Sequence, residues 1–182
     1  MDKIINQYVQ NQLSRAPLLL QSYTQDEQGN KYLTRNAFIR LQKLMRDFEQ
    51  GPQEIRIVAI PGLRGVGKTT LLAQLYMDIY PQQPANLFYL STDQVVNVLN
   101  SDLNTVLEEY QSLTGNSFEA LSHKVYFFID EIHFDKKWAS ILKMIYDRSK
   151  NIFVICTGSS ALSLQSTPDL ARRVILEKLY PM

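Results

Sequence analysis

The chain has very little cysteine: Cys156 is the only one among 182 residues and lies inside an apolar run. No internal disulfide can form, and a reducing compartment is the natural setting. An excess of either charge is also lacking. Nineteen Lys and Arg face eighteen Asp and Glu, a net charge of +1. That balance argues against a protein whose main work is neutralising nucleic-acid phosphate or anionic lipid, although a local basic stripe stays compatible with it. No apolar h-region follows Met1-Asp2-Lys3-Ile4, and no stretch approaches the length that crosses a bilayer. A soluble cytoplasmic protein is the expectation. Internal repeats and low-complexity tracts are absent, and glycine is scarce, seven in all.

What is present is 45% hydrophobic sequence, enough for one globular domain with a sizeable core. The first fifty residues are polar and rich in Gln and Tyr. Ile4, Ile5, Tyr8, Val9 and Gln12 recur at near-helical spacing over residues 3–13, and Asp26-Glu27-Gln28-Gly29-Asn30 makes a polar turn. A second helix, capped by Thr34, carries Phe38, Leu41, Leu44, Met45 and Phe48 on one face and stops at Gly51-Pro52. From residue 54 the rhythm becomes strand and helix in alternation. Strands are expected at Ile55 to Ile60, Asn86 to Ser91, Lys124 to Asp130, Asn151 to Thr157 and Val174 to Leu179. Helices are expected at Thr69 to Tyr80, at 94–111, at 136–149 and from about Asp169. Apolar strands separated by helices imply a parallel sheet covered on both faces. The fold expected is α/β, a three-layer αβα core over 54–182 with an N-terminal helical extension over 1–53.

Gly62-Leu63-Arg64-Gly65-Val66-Gly67-Lys68-Thr69 matches G-x-x-x-x-G-K-[ST], directly after a strand and directly before a helix. A polyphosphate needs many donors at short range with no bulky side chains in the way. Glycines at 62, 65 and 67 let the backbone curl, so that successive N–H groups point inward from Gly62, Arg64, Gly65, Val66, Gly67, Lys68, Thr69 and Thr70. The helix start adds its positive dipole end. Lys68 reaches the β- and γ-phosphates, and the Thr69 hydroxyl ligates Mg²⁺. With glycine this scarce, a chance match is on the order of one in a thousand, so the phosphate-binding reading prevails over an incidental turn.

Val125 to Ile129 is an apolar run that ends in Asp130-Glu131. A carboxylate at the C-terminal end of a buried parallel strand lies on the sheet edge where ligands collect. Asp130 holds Mg²⁺, directly or through water, and Glu131 polarises the water that attacks the γ-phosphate. A GTPase would carry Asp-x-x-Gly after this strand and a later Asn-Lys-x-Asp; neither is present. ATP is preferred on that ground.

Thr157-Gly158-Ser159-Ser160 ends the next apolar strand, and such a polar cluster can sense the γ-phosphate; an ordinary strand-to-helix turn is an equal reading for any one member. Ser159 is the candidate taken forward. Arg172 and Arg173 offer guanidinium groups that could act as an arginine finger, in the same chain or in a neighbour, or form two surface charges on a helix. His133 fits a supporting role beside the acids and, without companion ligands, not a metal site. Asp93 either approaches the active site or caps the helix after it.

With these motifs together, the chain resembles the prokaryotic AAA+ ATPases related to the STAND signalling NTPases. The resemblance rests on residues 62–72, on Phe128-Ile129-Asp130-Glu131-Ile132-His133 with Trp138 and Tyr146-Asp147, on Thr157–Ser160, and on Asp169-Leu170-Ala171-Arg172-Arg173. It covers roughly residues 54–182. It implies a sheet in the order 5-1-4-3-2, ATP as ligand, Glu131 as catalytic base and a sensor residue within Thr157–Ser160. Relatives continue past the segment matching Leu179–Met182 into a helical lid and an effector domain, so this chain is expected to be the nucleotide-binding core. The function expected is Mg-ATP binding and hydrolysis coupled to a switch, acting on a protein partner or on copies of the same chain. A non-hydrolysing binding or assembly module is the alternative, and a DNA-directed ATPase is disfavoured by the charge balance.

Overall fold

The computed structural model describes residues 3–159 and 173–179. Its centre is a sheet of five strands, β1 (Ile57–Pro61), β2 (Leu87–Ser91), β3 (Val125–Asp130), β4 (Ile152–Gly158) and β5 (Val174–Leu176). All pairings are parallel, and the order is β2-β3-β4-β1-β5. This is the expected 5-1-4-3-2 order read from the other edge. The helices are α1 (Lys3–Ser22), α2 (Asn36–Gln50), α3 (Lys68–Ile79), α4 (Leu103–Thr114) and α5 (Trp138–Arg148).

Strand alternation sorts the core into two layers. Val125, Phe127 and Ile129 of β3, with Val154 and Cys156 of β4, face a cluster that includes Leu107, Tyr110, Leu142 and Ile145 of α4 and α5. Tyr126 and Phe128, with Phe153 and Ile155, face the opposite cluster, which holds Leu72, Leu75 and Tyr76 of α3 and Leu41, Met45 and Phe48 of α2. The parity matters for the site: Asp130 continues the Tyr126–Phe128 series and Thr157 the Phe153–Ile155 series, so both belong to the side on which α3 begins.

The N-terminal helix extends well past the expected residue 13. It runs through Pro17 to Ser22 and packs against α3, α4 and β2. Its first half (Ile5, Val9) joins one layer and its second half (Ala16, Leu20) the other, so burial on both sides holds a helix that lacks the Pro17 backbone donor. Tyr8 fixes it to the sheet: its hydroxyl accepts the Ser91 N–H at 3.3 Å.

Some local expectations differ from the structure. α2 begins one residue later than Thr34 would place it, with Arg35 at the capping position and no side-chain cap. The Arg35 side chain is engaged elsewhere. The helix expected over 94–111 is broken: a wide turn over Gln94–Val98 ends at Asn100, whose φ is +49°, and α4 restarts behind Asp102. Asp102 caps it by accepting the Thr105 N–H at 2.8 Å. Asp93 is not a cap either, since its carboxylate accepts Asn97 Nδ2 at 2.6 Å.

Candidate active site

β1, flanked by β4 and β5, ends at Pro61, and the chain turns through 62–67 into α3. Gly65 and Gly67 sit at φ +84° and +85°, the left-handed region, which lets the loop curl back on itself. Gly62 is needed for space: a Cβ there would lie 3.0 Å from the Val66 side chain and 3.4 Å from the Leu179 carbonyl. Lys68 is 6% exposed, and its ammonium donates to the carbonyls of Gly62 and Leu63, each at 3.2 Å. Thr70 lies in the first turn of α3, while Arg64 lies in the exposed part of the loop.

Thr69 faces the end of β3. Its hydroxyl donates to Asp130, 3.0 Å from Oδ2 and 3.3 Å from Oδ1. Two hard oxygens about 3 Å apart match the edge of a Mg²⁺ octahedron, whose ligands lie at about 2.0–2.1 Å from the ion and so about 2.9 Å from each other. Among the described residues no group of three or more His, Cys, Asp or Glu could hold a metal. Asp130 is also felt by Tyr89: burial, and behind it the Asp130 charge, push that phenol above its ordinary range.

Thr157 ties the two acids together. It is fully buried; its hydroxyl accepts the Glu131 N–H at 2.9 Å and donates to Asp130 Oδ1. Glu131 itself has left-handed backbone, φ +52° and ψ +45°, which for a non-glycine residue is held against an intrinsic cost. Its carboxylate lies 3.7 Å from the Lys68 ammonium and 3.2 Å from His133 Nδ1. The same His133 nitrogen is 3.3 Å from the Ser159 N–H. One protonation form of Nδ1 donates to Glu131 and the other accepts from Ser159.

The structure therefore brings together Gly62, Gly65, Val66, Gly67, Lys68, Thr69, Asp130 and Glu131. Ser159 joins through its backbone, and Thr157 supplies the hydroxyl in contact with the acids. Arg173 is not brought to this loop. It precedes β5, whose Val174 pairs with Ile57 at the opposite end of β1, and its guanidinium meets Asp147 at 3.3 Å and the Tyr146 ring at 5.0 Å. Arg172, Ser160, Asp169 and the helix expected to begin there lie outside the described residues. The motif also leaves unmarked a cavity of about 350 Å³ beside the loop, walled by Tyr32, Leu33 and Arg35 on one side and Thr70, Leu71 and Gln74 on the other. Its outer wall comes from a polar stretch with no motif, visible only once Gln74 Nε2 donates to the Tyr32 carbonyl at 3.2 Å.

A glycine loop between a central parallel strand and a helix, with a buried lysine and a hydroxyl–carboxylate pair beside it, defines the P-loop class of nucleotide-binding α/β proteins. Within it, residues 54–182 match the AAA domain family, and the chain belongs to that family of AAA+ P-loop ATPases. It is 35% identical over 180 residues to an uncharacterised protein of Methanocaldococcus jannaschii, MJ1637, covering 98% of this chain and 36% of that protein. It is 32% identical over 131 residues to an uncharacterised protein of Haemophilus influenzae, covering 69% and 31%. The chain thus spans about a third of the length of these curated relatives. Among solved structures, C. elegans PCH-2 matches with a TM-score of 0.57 and 16% identity, over 92% of this chain and 47% of that one. Domain III of the Thermotoga maritima replication initiation protein DnaA matches with 0.51 and 17%, over 83% and 66%. At such identities these two likenesses speak for the fold alone. Among the described residues, no helix is long and apolar enough to cross a membrane.

Proposed function

We propose that the chain binds Mg-ATP and hydrolyses its γ-phosphate, and that the nucleotide state acts as a switch on a partner or on other copies of the chain, in the manner of the STAND-related ATPases. The observation that carries this reading is the 3.0 Å approach of the Thr69 hydroxyl to Asp130 beside a buried Lys68. The Gly62 N–H is already donated to the Gly158 carbonyl at 3.2 Å, so the amides that follow it take the phosphates, and Lys68 exchanges the loop carbonyls for β- and γ-oxygens. Thr69 and Asp130 hold Mg²⁺, which neutralises phosphate charge when bound. Glu131 orients and deprotonates the attacking water. Ser159, through its backbone N–H to His133, and Arg172, by its motif alone, are assigned to the catalytic set as supporting groups. Arg173, held by Asp147 and the Tyr146 ring away from the loop, has no part in the chemistry of its own chain's site. The cavity next to Thr70 takes the nucleoside; its volume is at the lower end of small-molecule pockets.

Isothermal titration of Mg-ATP into the wild type and Lys68→Ala tests the reading. Binding by the wild type that the variant loses supports it; equal binding by both, or by neither, counts against it. Phosphate release in the same samples separates the ATPase from a module that binds without turnover.

A further inference from the structure

The phosphate loop is gripped from outside by a residue that no phosphate-binding motif includes. Arg35 precedes α2, in the segment upstream of the residues 54–182 that match the AAA domain family. Its guanidinium donates to the Val66 carbonyl at 2.6 Å. It also borders Gly67, where a Cβ would lie 3.4 Å from the guanidinium nitrogen and 4.0 Å from its carbon. Glycine is required there by its φ of +85°, while a Cβ would meet Arg35 only in ordinary van der Waals contact.

The peptide plane explains what this contact does. Val66 C=O and Gly67 N–H belong to one trans peptide, so they point in opposite directions. Rotation of that plane would turn the carbonyl dipole toward a bound polyanion and take the Gly67 donor away from it. A carbonyl tied to Arg35 on one side leaves the Gly67 N–H aimed to the other. The charge-assisted bond also withdraws electron density from the carbonyl, which makes that N–H a better donor. A fixed cation near the loop adds to the positive potential that a triphosphate meets.

We infer that Arg35 is a positioning residue for the phosphate loop: it fixes the Val66–Gly67 peptide in the orientation that binds phosphate, and so makes the segment before α2 a working part of the nucleotide site. The inference rests on the triphosphate reading of the loop. It assigns Arg35 to the phosphates rather than to the nucleoside, although Arg35 also borders the adjoining cavity.

The test uses tripolyphosphate with Mg²⁺, which has phosphates but no base or ribose, alongside Mg-ATP. Both are titrated into the full chain, as wild type, Arg35→Ala and Arg35→Lys. The loss of a charge-assisted bond predicts a drop of about tenfold or more in affinity for both ligands in Arg35→Ala. Arg35→Lys, which keeps the charge but not the planar fork, recovers part of it. A structural readout runs without ligand: the Gly67 amide resonance shifts and its hydrogen exchange quickens in Arg35→Ala, while amides of β3 and α5 stay as in the wild type. Should Arg35→Ala unfold, Arg35→Lys carries the same comparison. Unchanged tripolyphosphate affinity with weakened ATP affinity overturns the inference, since Arg35 then serves the nucleoside. An unmoved Gly67 amide overturns it as well. A wild type that binds neither ligand removes the triphosphate reading and this inference with it, whereas loss of binding in Lys68→Ala beside full binding in Arg35→Ala removes this inference alone.

Discussion

The Thr157 hydroxyl accepts the backbone N–H of Glu131 at 2.9 Å. That bond spans adjacent strands at the ligand-binding edge of the sheet and pins a left-handed residue in place. The same hydroxyl donates to Asp130, so one buried group orients both acids. Thr157→Val keeps the shape and removes both bonds. Turnover of ATP is expected to fall about tenfold to a hundredfold, equivalent to roughly 1.4–2.8 kcal/mol of transition-state positioning. The affinity for Mg-ATP should move far less. Thr157→Ser should recover most of the rate, and Ser159→Ala should keep it within about threefold, since Ser159 contributes its N–H to His133. Full turnover in Thr157→Val would show that the Glu131 backbone needs no such tether.

Far from this edge, Arg56 closes the C-terminal end of α5. It is 5% exposed, donates to the carbonyls of Tyr146 (at 3.0 Å) and Ser149, and stacks 4.0 Å over the Tyr146 ring. Arg56→Met preserves the stem and strands two buried carbonyls at the negative end of a helix. A loss of about 2–4 kcal/mol is expected. At about 2–4 °C per kcal/mol for a chain of this size, thermal melting should shift down by roughly 5–15 °C. Arg173→Met removes a partly exposed pair with Asp147 and should cost under about 1 kcal/mol. Equal melting of both variants would contradict this division.

Stability should decline on the alkaline side. Burial pushes the Cys156 thiol and the phenols of Tyr8 and Tyr110 up to about 12. In the unfolded chain the thiol ionises near 8.5 and the phenols near 10. Above those values the unfolded state has released protons that the folded state still holds, so raising the pH favours unfolding. The contribution is complete below about pH 8.5 and is lost progressively toward pH 12. Urea midpoints at pH 8, 9.5 and 11 should fall in that order. Iodoacetamide at pH 9 should label Cys156 only as fast as the chain opens. Rapid labelling of the native protein would show that the thiol is reachable.

Most of this site could be read from residue order because it is built from short-range patterns. The loop and its flanking elements specify their own geometry, and an apolar run ending in two acids places them at the ligand edge. The two-residue period along β4 puts both Thr157 and Ser159 on the face of Asp130; the strand register, which pairs Ile129 with Cys156, makes Thr157 the hydroxyl that meets the acids. Arg35 left no such trace, because its partner lies 31 residues away and the contact is made through a backbone carbonyl. The break at Asn100 was hidden for a related reason. Local helix propensity runs across it, and the restart is imposed by Asp102 together with a distant carboxylate, Asp135, which accepts the Leu103 N–H at 2.9 Å. Arg173 shows the limit of motif spacing, since it immediately precedes Val174, whose pairing with Ile57 lies at the end of β1 away from the loop.

The sharpest separation of binding from chemistry comes from Glu131→Gln. The amide is nearly isosteric and can still be held by His133 and the Thr157 tether, but it cannot take a proton from water. Hydrolysis should drop by about a hundredfold or more, the usual range for removing a general base. Binding should survive and even tighten. In the wild type the Glu131 carboxylate is 3.7 Å from the Lys68 ammonium, an attraction that phosphate must compete with when Lys68 turns toward it. Neutralising the carboxylate removes that competition, so the Kd for Mg-ATP should stay equal or fall, while phosphate release nearly stops. Titration calorimetry and a phosphate-release assay on one preparation give both numbers. Wild-type release from Glu131→Gln would mean that another group activates the water, and weaker binding would mean that Glu131 supports the nucleotide directly instead of holding Lys68 back.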